Sequence, residues 1–357
     1  MRFPRTKPEH SPYQYADDTI RIGGELYPIA AEIKDPDGRV WAALGFMDGR
    51  HTPAEIASEL RTRFTSLTET TARALVDQLM TSGYVEDAAA APATALSAAE
   101  MQRYGRNHAF FRRVDLRPGV SAWDAQARLR DANVVVLGVG GTGSHAAWAL
   151  AAAGVGRLHC VDPDIVEVSN LTRQALYTES DIGRPKVEAA AEALTAVNSG
   201  TAVTYDQRMV DTEEGLTELV SGFDVLALCA DEPRDDGINR MTSRACAVAG
   251  VPWAGAGYNG PLITVGVYAP QGPCFECVGA GEEARLKQGP IPHLGGPGVI
   301  APSAGISGHL LAYEIISLLT GVGRRPPGYV RGINLIAPDQ LIHVRHPALA
   351  DCVACHA

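Results

Sequence analysis

Two kinds of chemistry are written into the residue types of this chain. The first is soft-metal binding. Cys274-Phe275-Glu276-Cys277 and Cys352-Val353-Ala354-Cys355 form two C-x-x-C pairs. Thiolates at that spacing share one ion, and four of them close a tetrahedral zinc site with no open position. Such a site is structural, and here it would tie the C-terminal tail to the core. His356 is a neighbour that four thiolates do not need. The second is phosphate chemistry. Gly138-Val139-Gly140-Gly141-Thr142-Gly143 follows the apolar run Val134–Leu137 and leads into an Ala-rich helical stretch. Glycines there let backbone N–H groups and a helix N-terminus approach a phosphate. Asp162 ends the next apolar run, where a carboxylate accepts from ribose hydroxyls. At this point a dinucleotide dehydrogenase remains open.

Arg173 and Lys186 shift the balance. Both follow the Asp162 strand and sit in polar runs, Ser169–Gln174 and Gly183–Lys186. Hydride transfer has no use for two further cations. Attack on an α-phosphate does, because charge builds on the pentavalent oxygens and on the leaving pyrophosphate. Asp231 ends another apolar run, at the sheet edge where ligands bind in such folds, and a carboxylate there suits Mg²⁺. The plainer alternatives are a surface arginine, a surface lysine and a helix-capping aspartate.

The elements that must position these residues alternate between strand and helix from Val134 to Val344, which predicts an open, largely parallel, doubly wound sheet. Helices are expected at 122–129, 187–197, 213–220, 238–249 and 306–319, and a glycine- and proline-rich loop at 279–298. Residues 1–88 read as a separate small domain. Thr19–Ile22 and Glu25–Pro28 flank Gly23-Gly24 as a hairpin, and Thr52-Pro53-Ala54-Glu55 opens a capped helix. Residues 89–99 read as a linker and 100–357 as the nucleotide-binding domain. A chain of 357 residues accommodates both. The formal net charge of -10 argues against a nucleic-acid partner. No apolar run approaches the roughly 20 residues that span a bilayer, and the N-terminus carries no secretory pattern. A cytoplasmic protein with no membrane partner is expected.

The combined motifs Gly138-x-Gly140-Gly141-x-Gly143, Asp162-x-Asp164, Asn170-Leu171-x-Arg173-Gln174, Gly183-x-Pro185-Lys186 and Cys229-x-Asp231 resemble the ThiF/MoeB superfamily over about residues 100–357. The resemblance implies adenylation of a peptide or protein C-terminal carboxylate by ATP and Mg²⁺, with pyrophosphate released. It implies that Asp162 binds the ribose, that Asn170, Arg173 and Lys186 bind the phosphates, and that Asp231 binds Mg²⁺. Asp164 belongs to the same nucleotide site. Arg103-Tyr104-Gly105-Arg106-Asn107 resembles a family segment whose second arginine, here Arg106, reaches the triphosphate across a homodimer interface. The family also closes its four-cysteine zinc site from two distant pairs.

Residues 278–351 contain no cysteine, although members that form a thioester or persulfide carry one there. Cys160, Cys229 and Cys246 fall in predicted core elements. Transfer to a cysteine of this chain is therefore disfavoured. This absence, the extra N-terminal domain and the stretch Gly255-Ala256-Gly257-Tyr258 are similar to the microcin-C-type peptide adenylyltransferase branch. That branch implies a short ribosomal precursor peptide as substrate. Residues 1–88 likewise look like a PqqD-like, winged-helix peptide clamp. Glu232–Gly237 is longer than the usual connection after the metal-binding aspartate, with Asn239, Arg240 and Ser243 the nearest candidates for helix residues facing the site. Activation of a sulfur-carrier protein and a degenerate leader-binding role remain as alternatives.

Overall fold

The computed structural model describes the chain except residues 26–28, 91–95, 235–236, 271, 286–297, 324, 353 and 356–357. His356 and part of the expected linker thus lie outside the described residues. The chain divides into two compact units, Met1–Ala127 and Arg128–Ala357.

The first unit runs β1 (Pro4–Thr6), β2 (Tyr13–Gln14), β3 (Thr19–Ile22), β4 (Ala31–Lys34), α1 (Arg39–Phe46), α2 (Pro53–Arg63), α3 (Glu69–Thr81), β5 (Val85–Asp87), α4 (Ala98–Arg103) and α5 (Gly105–Val114). Helix α6 (Ala122–Asp131) straddles the division. Thr52 caps α2 through a reciprocal box with Glu55, and Pro53 pre-sets the first helical φ. Ile56 and Leu60 on α2, Val76 on α3 and Ile20 and Ile22 on β3 fill one core. Each such side chain contributes about 1.5–3 kcal/mol by burial. Strand β3 pairs with β2 on one side and with Ala31–Lys34 on the other; residues 26–28 of the expected second hairpin strand lie outside the described residues. Gly23 and Gly24 still make the first bend, both at positive φ. The Lys7 ammonium donates to the Asp115 carbonyl, and Arg112 grips Glu9 through two hydrogen bonds, so α5 is anchored to the N-terminal segment.

The second unit runs β6 (Asn133–Leu137), α7 (Gly141–Ala153), β7 (Arg157–Val161), α8 (Lys186–Val197), β8 (Ala202–Asp206), α9 (Glu213–Val220), β9 (Val225–Leu228), α10 (Gly237–Ala249), β10 (Trp253–Asn259), β11 (Leu262–Tyr268), α11 (Phe275–Glu283), α12 (Ala301–Thr320), β12 (Tyr329–Asn334) and β13 (Leu341–Arg345). Its eight-stranded sheet has the order β13-β12-β11-β10-β9-β6-β7-β8. Strands β10, β9, β6, β7 and β8 are parallel, and β11 to β13 add antiparallel hairpins. The central strands β6 and β9 are buried and almost wholly apolar, as expected of strands covered on both faces, whereas the edge strand β8 is mostly exposed. Helix α12 lies tightly on α7: Thr142 and Ser307 hydroxyls are 2.8 Å apart, and a Cβ on Gly308 would overlap the Thr142 carbonyl. This contact fixes the start of α7. Residues 275–283 are helical, which corrects the loop expected from 279 onward.

Candidate active site and cysteine cluster

Strand β6 delivers the chain to Gly138 at φ +88, a conformation that disfavours any Cβ. A side chain there would also meet the Ala230 nitrogen at 2.7 Å, and one on Gly143 would overlap the Gly138 carbonyl oxygen. The turn is therefore packed backbone against backbone. It opens on the first turn of α7, whose N-cap Gly140 provides no side-chain acceptor, so the helix presents free N–H groups.

Asp162 stands beside this turn, buried at the end of β7. Its carboxylate accepts from the Val139 and Asp164 N–H groups at 2.8 and 3.0 Å. Burial raises its pKa, against the pull of Lys186 and of those two donors. The Tyr177 hydroxyl, donating to the Val139 carbonyl, completes the wall. Lys186, buried at the start of α8, reaches Asp164 Oδ2 at 2.7 Å. Arg173 follows a single 3₁₀ stretch, Val168–Thr172, and donates to the Ser169 carbonyl at 3.1 Å. Its Nε is buried without a protein partner. Asn170 is buried and its Oδ1 accepts from the Glu167 N–H, so it shapes the turn that carries Arg173.

Asp231 follows β9, next to the strand that bears the glycine turn. It is exposed and makes no ion pair or hydrogen bond among the described residues. Gly138, Gly140, Gly141, Gly143, Asp162, Asp164, Arg173 and Lys186 are thus gathered at one end of the parallel strands. Arg106 lies exposed on α5 in the first unit. Three neighbours of the site went unassigned in the sequence. His145 Nε2 lies 3.1 Å from the Arg173 carbonyl, Gln174 is buried with its Oε1 unpartnered, and the Tyr258 hydroxyl lies over Gly141. Gln174 lies in the Asn170–Gln174 motif and Tyr258 in the Gly255–Tyr258 stretch, though neither has a role assigned there; His145 carries no local signal.

Cys274, Cys277, Cys352 and Cys355 converge, with ligand sulfurs all within 4.8 Å of one another. Neighbouring Sγ–Sγ separations are 3.4, 3.6 and 3.8 Å. A tetrahedral ion with bonds of about 2.3 Å spaces its sulfurs by about 3.8 Å, so the cluster fits one. The Leu349 N–H donates to Cys277 Sγ, as to a metal-bound thiolate. Cys160 and Cys246 lie outside this cluster, and burial pushes their thiols up to about 12.

Residues 106–352 match the ThiF family. The chain belongs to the ThiF family. Within it, the Molybdopterin-synthase adenylyltransferase of Escherichia coli K12 is 35% identical over 239 residues, covering 66% of this chain and 88% of that protein. The Sulfur carrier protein ThiS adenylyltransferase of the same strain is 35% identical over 213 residues, covering 59% of this chain and 80% of that protein. Among solved structures, E. coli MccB bound to MccA-N7isoASN superposes with a TM-score of 0.78 at 20% identity, covering 99% of both chains. This ThiF chain is accordingly an ATP-dependent adenylyltransferase. Among the described residues no helix is long and apolar enough to cross a membrane.

Proposed function

We propose that the chain adenylates the C-terminal carboxylate of a short ribosomal precursor peptide. The observation that carries this choice of substrate is the reach of the likeness to MccB. It spans 99% of the chain, whereas the family match begins at residue 106. Residues 1–105 therefore have a counterpart in a structure bound to a peptide. A feature of the first unit supports the same reading. Lys34, Val40, Leu67, Ala74, Leu75 and Gln78 help line a groove of about 360 Å³ beside β4. Among the described residues β4 pairs only with β3, so its other edge can add a peptide strand. On this reading the first unit is a winged-helix clamp over residues 1–88, a linker occupies 89–99, and 100–357 is the adenylating domain.

In the reaction, a carboxylate oxygen bonds to the α-phosphorus as the bond to the bridging oxygen breaks and pyrophosphate leaves. Asp162 accepts from the ribose, and its two backbone donors leave lone pairs for that purpose. The partnerless Arg173 Nε and the N-terminus of α7 meet the phosphates. Lys186 exchanges Asp164 for phosphate oxygen; Asp164 is 62% exposed, so the pair it gives up is worth on the order of 1 kcal/mol. Asp231, unpaired among the described residues and exposed, suits Mg²⁺, which prefers one or two carboxylates plus phosphate oxygens and would neutralise charge on the leaving group. Arg106 acts from a second copy in a homodimer. The four cysteines hold structural zinc, and Cys352→Ser should lower both zinc content and thermal midpoint.

Activation of a sulfur-carrier protein is the second reading, favoured by the two adenylyltransferases at 35% identity. ATP–pyrophosphate exchange decides between them. Exchange stimulated by a genomically neighbouring short peptide supports the first reading. Exchange stimulated only by a carrier ending in Gly-Gly replaces it with the second.

A further inference from the structure

The space over the first turn of α7 is shared by two side chains from different halves of the sheet. A Cβ on Gly141 would lie 2.6 Å from the Tyr258 hydroxyl oxygen and 3.5 Å from Arg173 Nε. Both groups therefore face the same small volume at the helix N-terminus. Tyr258 sits on β10 beyond Trp253–Gly255, the segment paired with β9, and its cross-strand partner is Ile263 of β11. Its backbone belongs to the antiparallel arm, while Gly141 and Arg173 belong to the nucleotide side. Two buried polar atoms at this place lack partners. Arg173 Nε is buried and unsatisfied, and Gln174, 4% exposed, leaves Oε1 unpaired with its Nε2 beside Gly140. Buried polar atoms left without partners mark a place where a polar ligand is expected.

We propose that Tyr258 contacts the reacting phosphate: its hydroxyl donates a hydrogen bond to a nonbridging α-phosphate oxygen at the point where the acceptor carboxylate attacks. This rests on the adenylation reading above. In that step the carboxylate oxygen bonds to phosphorus, the bridging oxygen departs on pyrophosphate with its electron pair, and Tyr258 keeps its proton. Arg173 supplies charge from the nucleotide side. The phenol supplies a neutral, directional donor from the opposite arm, and its bond strengthens as charge builds on the nonbridging oxygens. A side chain at residue 141 would have to displace the phenol, so glycine there leaves Tyr258 in place over the turn.

The test compares the full-length chain with Tyr258→Phe in ATP–pyrophosphate exchange, using whichever of the two carboxylate substrates supports exchange. A hydrogen bond to a charged acceptor predicts a fall in kcat of about 10- to 100-fold. The ATP dissociation constant from calorimetry should change little, because the contact is made chiefly in the transition state. An unchanged kcat overturns the assignment, as does a loss confined to ATP affinity. A parent protein that exchanges with neither substrate overturns the adenylation reading, and this assignment with it. A geometric arm is independent of turnover. Gly141→Ala should lower thermal stability, and adding Tyr258→Phe should restore it by removing the atom at 2.6 Å. Equal damage in both backgrounds would show that the phenol does not cover the turn and would also overturn the assignment.

Discussion

The glycine turn and the Asp231 strand end leave adjacent strands, β6 and β9, yet they are built in opposite ways. The turn is committed before any ligand arrives. Gly138 packs on Ala230, Gly143 on Gly138, and Asp162 already holds two backbone N–H groups. Asp231 is exposed and has no partner among the described residues. If, as proposed, the turn receives a phosphate chain, such preorganisation lowers the entropic cost of binding it. An uncommitted carboxylate has no protein partner to give up when, on the proposed reading, it meets a cation. On the proposed reading, the division teaches that nucleotide recognition would be stored in the fold, whereas charge neutralisation would be assembled with the substrate.

Four substitutions can break or sharpen this contrast. The largest effect is expected at the turn: Gly143→Ala places a methyl into the Gly138 carbonyl and should cost about 3 kcal/mol or more in denaturant unfolding. Asp231→Ala should leave stability within about 0.5 kcal/mol while reducing pyrophosphate exchange about 100-fold or more. Stability loss at Asp231, or full activity without it, would erase the contrast. Lys186→Gln should fall between, losing the exposed Asp164 pair at about 1 kcal/mol in unfolding together with much of the exchange rate.

The smallest effect concerns pH. Burial sets the folded pKa of Asp162 above its unfolded value. Protonation therefore favours the folded state, and that contribution is complete below the unfolded pKa. It fades as pH rises through the folded pKa. Asp162→Asn should flatten this part of the stability profile above the ordinary carboxylate range of about 4. An unaltered profile would mean that the backbone donors fully offset burial.

Much of the site was legible because strand, glycine turn, helix and acid are contiguous, and each residue type answers a local geometric demand. The α2 cap was legible for the same reason, since Thr52 and Glu55 meet within one turn. Helix α11 was not. Gly279 and Gly281 read as loop, but Cys274 and Cys277 anchor its start, and Phe275 packs against Trp253 and Tyr268. Tertiary contacts there outweigh propensities of about 1 kcal/mol per glycine. The pairing of β3 with Ala31–Lys34 has no short-range signal either, because strand pairing rewards cross-strand packing that proximity in sequence does not report.

By itself the sequence determined a glycine turn between strand and helix with an acid at the end of the next strand, nominated the cations and carboxylates around it, and showed that two thiol pairs suit one metal. Those features depend on residue type and short spacing. Only the tertiary structure decided that Cys274 and Cys277 meet Cys352 and Cys355 across 78 and 78 residues, that His145 backs the Arg173 carbonyl, and that Tyr258 leans over Gly141. Each of these needs elements far apart in the chain to pack at a particular distance, and that distance is set by the whole core rather than by any local run of residues.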